Sequence, residues 1–180
     1  MKAIETKLKG CFIIEPIVFN DDRGYFFESY NQQKFNELTN TNTVFIQDNE
    51  SFSTKGVLRG LHFQGGEHAQ AKLVRVTHGE VLDVAVDIRK DSPTFLQHVS
   101  VQLSAENKKQ FFVPRGFAHG FIVLSDTVVF NYKCDNFYNK ASEGGIIYND
   151  LALNIDWILD SNEFLVSKKD TILPTTKEQF

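Results

Sequence analysis

From about Val44 to Trp157, apolar and polar residues alternate with a period near two, and Gly, Pro, Asn and Asp interrupt the alternation at short intervals. A period of two belongs to a strand with one face buried, and many short strands separated by turn residues predict an all-β sandwich or barrel. In EVLDVAVDIRK (80–90), Leu82, Val84, Val86 and Ile88 fall on one side, and Asp83, Ala85, Asp87 and Arg89 on the other. That is the pattern of a half-buried strand, with HGE before it and KDSPT after it as turns. In TVVFNYKC (127–134), Val128, Phe130, Tyr132 and Cys134 share a face, which sets the Tyr132 phenol among core residues and requires a partner for its hydroxyl. VPRGFAHGFIVL (113–124) is apolar on both sides, so it reads as an enclosed strand with one polar member, His119. Outside the strands, NQQKFNELTN (31–40) predicts a short helix with Phe35 and Leu38 on one face, and residues 160–170 predict another. With no linker, repeat or low-complexity segment, residues 1–180 read as a single domain.

Composition narrows the partners more than the fold. Hydrophobic residues at 42% and charged residues at 23% are ordinary for a globular chain, and 17 Phe point to an aromatic-rich β interior. A net charge of −4 excludes a surface that coats nucleic acid, while leaving room for a basic pocket that takes an anionic ligand. Cys11 and Cys134 have neither metal-ligand spacing nor the density of a disulfide framework, and read as buried thiols in a reducing compartment. The apolar run CFII near the start is too short for a signal segment and no stretch is long enough to span a bilayer, so a cytoplasmic protein with no membrane partner is expected.

The polar residues on apolar strands are the candidates for chemistry: Arg59, His62, Lys72, His119 and Tyr132. Each alone has an ordinary structural reading, as a satisfied core group, a snorkelling lysine or a surface ion pair, and His78 and His98 keep that reading. The stretch LRGLHFQ (58–64) sets a specific problem. Strict alternation points Arg59 away from His62, so a shared pocket requires a bulge, and Gly60 is where one is expected. A metal-binding barrel would place a second histidine two residues after the first; Gln64 stands there, and Glu67, His68 and His119 make only an irregular ligand set, so no metal is expected.

The strings FNDDRGYFFESY, QDNESFSTKGVLRGLHFQ, AQAKLVRVTHGEVLDVAVDIRKDSPTF, LSAENKKQFFVPRGFAHGFIVLS, FNYKC and EGGIIYND together resemble the dTDP-4-dehydrorhamnose 3,5-epimerases over about residues 1–175. The resemblance implies a cupin-type jelly-roll barrel with a few short peripheral helices, no cofactor, and a homodimer whose active sites are shared across subunits. It implies a dTDP-linked 4-keto-6-deoxy sugar as substrate. It assigns His62 as general base, Tyr132 as general acid, Asp170 as the carboxylate that orients His62, and Lys72 as the cation at the keto oxygen. Arg59 and His119 match substrate-binding positions. Arg23, Glu28, Gln47, Asn49, Glu143 and Lys168 match further nucleotide-sugar contacts, and Tyr138 stands where an aromatic stacks on the thymine. The Arg23 segment is expected from the partner subunit, and the tail 158–180 is expected to pack near the active site.

The residue types suit that chemistry. Inverting carbons 3 and 5 beside a keto group takes a base to remove the α proton, a cation to hold the enolate oxygen, and an acid on the other face, with no redox step. Two alternatives stay open: an epimerase that inverts one carbon of a related ketosugar, which only pocket contacts would separate, and a carbohydrate-binding jelly roll without catalysis, against which the joint presence of His62, Lys72, Tyr132 and Asp170 argues.

Overall fold

The hydrophobic alternation becomes fourteen short strands in a computed structural model that describes residues 1–180. In chain order they are β1 (Lys2–Glu5), β2 (Phe12–Glu15), β3 (Phe19–Asp21), β4 (Gly24–Phe26), β5 (Gln47–Thr54), β6 (Val57–Gln64) and β7 (Lys72–His78). They continue with β8 (Glu80–Asp87), β9 (His98–Ser104), β10 (Gln110–Val113), β11 (Phe117–Val123), β12 (Thr127–Cys134), β13 (Glu143–Gly145) and β14 (Leu165–Val166). One sheet has the order β1-β2-β10-β7-β12-β5, and a second has β13-β6-β11-β8-β9 with β14 added to β6; β3 and β4 form a separate hairpin.

The two large sheets face each other. Val74, Phe111 and Phe130 of the first meet Ala85, Leu103, Phe117 and Phe121 of the second in one buried cluster. Each large side chain enclosed there contributes about 2 kcal/mol of hydrophobic stabilisation. The outer face of the second sheet, with Leu58, Leu61, Leu82, Val84 and Ile122, is covered by Ile146, Leu153 and Trp157 from the chain after β13. The outer face of the first carries Leu73 and Phe112 under Phe35 of helix α1 (Gln32–Thr39).

This layering corrects the reading of β8. Both its sides are buried: Leu82, Val84 and Val86 face outward under the tail, while Asp83, Ala85 and Asp87 point between the sheets. Their side is therefore interior, and Asp83 and Asp87 are completely buried. Asp87 is accommodated by hydrogen bonds from Arg89, Ser92 and Thr94.

Helix α1 is present where expected. Asn31 caps it by accepting from the Lys34 N–H, and Asn40 closes it in the left-handed region at φ 52°. Its buried residues are Phe35 and Thr39; Leu38 is 43% exposed, so the helix face is turned one position from the expected one. The expected helix over 160–170 is absent. That segment forms a turn at Ser161–Glu163, strand β14 parallel to the start of β6, and a turn at Asp170–Ile172. The reason is its period: Phe164 and Val166, two residues apart, both pack against the outer cluster, which a strand allows and a helix does not. A last short helix, α2 (Thr176–Gln179), starts with a Thr175–Glu178 capping box.

Candidate active site

The bulge expected in LRGLHFQ is present. On β11 His119 pairs with His62 and Phe121 with Arg59, so two steps along β11 match three along β6. The extra residue lets Leu58 and Leu61 stay in the outer cluster while Arg59 and His62 both turn inward. Gly60 makes this possible: its φ is +126°, and a Cβ there would lie 2.6 Å from the Gly120 Cα.

Arg59, His62, Lys72, His119 and Tyr132 line one cavity of about 130 Å³ between the sheets. It continues into a cleft of about 380 Å³ lined by Gln47, Asn49, His62, Lys72, Tyr132, Cys134, Tyr138 and Glu143 among others. His62, Arg59 and His119 come from the second sheet, and Lys72 and Tyr132 from the first, so the base and acid candidates stand on opposing walls.

His62 Nε2 lies 2.6 Å from Asp170 Oδ1. Asp170 is 3% exposed and is anchored through its backbone N–H, which donates to Ser167, while its Oδ2 accepts from the Gly60 N–H. Burial lowers the His62 pKa below its ordinary 6.5; Asp170 pulls it upward, and Lys72 and Lys169 push it down. The ring is therefore neutral near pH 7, with Nε2–H donated to the carboxylate and Nδ1 left as the basic nitrogen. Lys72 is lowered from 10.5 by burial, with Cys134, Asp83 and Glu143 opposing the shift. Tyr132 is raised above 10, chiefly by burial, and is half-buried. Contrary to the expectation of an internal partner, its hydroxyl makes no hydrogen bond within the chain, which leaves the proton free for a ligand. Arg59 donates to Ser53 Oγ at 3.1 and 3.3 Å and has no carboxylate partner, so its charge is available to an anion.

At the mouth, Glu143 accepts from Tyr138 at 3.0 Å and pairs with Lys169 at 2.6 Å. Burial raises the Glu143 pKa, but the bonds from Lys169 and Tyr138 outweigh it and keep the carboxyl below its usual value. No group of three His, Cys, Asp or Glu side chains is arranged to hold a metal ion.

The model of the dTDP-4-dehydrorhamnose 3,5-epimerase family matches residues 5–178. The chain belongs to the dTDP-4-dehydrorhamnose 3,5-epimerase family. It is 56% identical over 174 residues to the Salmonella typhimurium dTDP-4-dehydrorhamnose 3,5-epimerase, covering 97% of this chain and 94% of that one. The crystal structure of the Elizabethkingia anophelis enzyme of that name superposes with a TM-score of 0.97 at 59% identity, over 99% of this chain and 98% of the other. A dTDP-6-deoxy-D-glucose-3,5-epimerase from Legionella pneumophila, solved in complex with dTDP-4-keto-L-rhamnose, superposes at 0.93 with 49% identity, covering 97% and 92% of the two chains.

Three residues expected in this epimerase-family site lie outside the cavity of one chain. Arg23 sits at the tip of the β3–β4 hairpin, fully solvated and paired with Asp21. Glu28 is exposed and pairs with Lys34. Lys168 is exposed and lines neither cavity, whereas its neighbour Lys169 is the tail lysine that reaches Glu143. Sequence reasoning passed over two participants, Lys169 and Asp83. Asp83 holds His119 Nε2 at 2.8 Å and is completely buried. Its signal was a carboxylate alternating with aliphatics in β8, but alternation alone did not say which side was interior.

Proposed function

We propose that the protein epimerises carbons 3 and 5 of dTDP-4-dehydro-6-deoxy-D-glucose, giving dTDP-4-dehydro-L-rhamnose. The observation that carries this reading is His62, backed by Asp170 at 2.6 Å, facing Tyr132 from the opposite sheet across a cavity that also holds Lys72.

In this mechanism Nδ1 of neutral His62 removes the proton α to the keto group. Electrons move into the carbonyl to form an enolate, whose oxygen is held by the Lys72 ammonium in a site with little water. Such a contact is worth a few kcal/mol in the transition state. Asp170 stabilises the imidazolium that forms, as a carboxylate does when it holds the far nitrogen of a catalytic histidine. Tyr132 returns a proton from the other wall, inverting the carbon and leaving a tyrosinate; His62 gives its proton to solvent and Tyr132 regains one from it before the cycle repeats at the second α carbon. Arg59 takes the diphosphate, His119 the sugar, and Gln47, Asn49 and Glu143 further nucleotide-sugar contacts, with Tyr138 stacked on the thymine at the exposed rim. No cofactor enters the scheme, because the keto group supplies the acidity. The enzyme works as one domain in the cytoplasm.

A second copy of the chain completes the site. The β3–β4 hairpin that carries Arg23 leaves Phe19, Tyr25 and Phe26 each more than half exposed, and β5, at the edge of its sheet, exposes Phe52. These are liabilities in a monomer and contacts in a dimer, with Arg23 and Glu28 delivered to the neighbour's cleft. Mixing inactive Arg23→Ala with inactive His62→Ala then restores activity, since each mixed dimer has one intact site. Mixtures that stay as inactive as their parents would show that Arg23 does not serve the partner.

The test of the activity itself is proton NMR of the substrate in deuterated buffer. Deuterium entering at both carbons with formation of the L-rhamno product is expected. Entry at one carbon would make the protein a single-carbon epimerase, and entry at neither would remove it from catalysis.

A further inference from the structure

We propose that Asp83 is a positioning residue for this epimerisation: a buried carboxylate that fixes the orientation and tautomer of His119 beside the reacting sugar. The proposal rests on the epimerase reading of the site and assigns it a part that the base, acid and lysine do not fill.

Three observations carry it. His119 and His62 are direct partners across β11 and β6, and both line the same cavity as Lys72 and Tyr132. His119 Nε2 is held by Asp83 Oδ1 at 2.8 Å, so an ionised Asp83 requires the proton on Nε2 and leaves Nδ1 as the nitrogen for a ligand. The pocket is thus lined by two histidines on neighbouring strands, each backed by a carboxylate.

The third observation is that Asp83 is a poor structural residue. It has no exposure, and its Oδ2 has no hydrogen-bond partner. Asp87, on the same strand and facing the same side, is equally buried, yet Arg89, Ser92 and Thr94 occupy both of its oxygens. A half-satisfied buried carboxylate is destabilising and an apolar residue would pack there at no such penalty, so stability does not account for it. Its charge does have a use. It is one of the groups that oppose the loss of the Lys72 proton, together with Glu143 and, once ionised, Cys134, while His62, His119, Arg59 and Tyr132 face the same cavity. One carboxylate therefore aligns His119 and favours the charged lysine that the enolate needs.

The test is Asp83→Asn, which keeps size and removes the charge. The expected result is a fall in kcat on the order of 10²-fold with little change in KM, as for loss of one group that acts on the developing oxyanion. The alkaline limb of the kcat profile moves to lower pH, because Lys72 gives up its proton more readily; a merely structural role would not move it. An active wild type whose Asp83→Asn variant keeps its kcat and its alkaline limb would overturn the proposal alone. A wild type that exchanges neither carbon would overturn the epimerase reading and this proposal with it. Where the variant does not fold, nitrogen-15 NMR of histidine-labelled wild type decides: a protonated Nε2 on His119 at neutral pH supports the proposal, and an unprotonated one refutes it.

Discussion

The two imidazole–carboxylate pairs look alike in chemistry and differ in construction. His119–Asp83 joins adjacent strands β11 and β8 within one sheet, and its side chains are 8% and 0% exposed. His62–Asp170 joins β6 to a turn 108 residues later, and the His62 side chain is 28% exposed. The enclosed pair is fixed by the sheet itself. The open pair has a carboxylate brought in by the tail, beside a ring that a substrate can reach. Accessibility separates the roles: the open histidine can take and give up a proton, and the enclosed one is held in a single orientation.

The largest effect is expected from Asp170→Asn. It leaves the strands intact but removes the group that fixes the His62 tautomer, so kcat should fall about 10²-fold or more. Because Asp170 raises the His62 pKa, the acid limb of kcat/KM, already below 6.5, should move further down in this variant. An acid limb that stays in place would mean that the carboxylate does not act on His62.

Tyr132→Phe should cost a similar or somewhat smaller factor in product formation, about 10²-fold, while deuterium still enters the substrate. Loss of exchange together with turnover would assign Tyr132 to proton removal.

Asp87→Asn tests the opposite kind of buried carboxylate. Burial pushes the Asp87 pKa up, but its hydrogen bonds from Arg89, Ser92 and Thr94 outweigh that and hold it well below the usual carboxylate range. The stability it provides is present above the unfolded value near 4 and is lost as pH falls through the lower folded one. The variant should lose about 3 kcal/mol of stability at neutral pH and part of its acid sensitivity, with turnover per folded molecule unchanged. A stable variant with impaired turnover would reverse the roles of Asp83 and Asp87.

The smallest effect is expected from Lys169→Met. Lys169 depresses the His62 pKa and anchors Glu143, so its loss should move the acid limb up slightly and change kcat/KM by a few fold. A shift in the other direction would detach Lys169 from the His62 environment.

The sequence disclosed different parts of these two regions. The strand of Tyr132 was legible from the period of two, that of His119 from a run apolar on both sides, and the Gly60 bulge from the conflict between alternation and a shared pocket. What alternation cannot give is which side of a strand faces the interior when both sides are covered, and β8 was misread for that reason. Asp170 was legible only through family resemblance, because contact order hides it: no local pattern joins residues 62 and 170, and the tail that joins them adopts turns and a two-residue strand where a helix was expected. Lys168 and Lys169 are adjacent and chemically identical, so only the turn before Asp170 decides which of them meets Glu143. Arg23 and Glu28 lie apart from the cleft of one chain, each paired with a neighbour in its own segment.

If His62 is the base, removing its imidazole abolishes exchange of the substrate's α protons with solvent. Substrate is incubated in deuterated buffer with wild type and with His62→Ala, at equal folded concentration and matched dTDP affinity. Deuterium should enter at both α carbons with the wild type and at neither with the variant, beyond the uncatalysed background. Exchange at wild-type rates in His62→Ala would contradict the account.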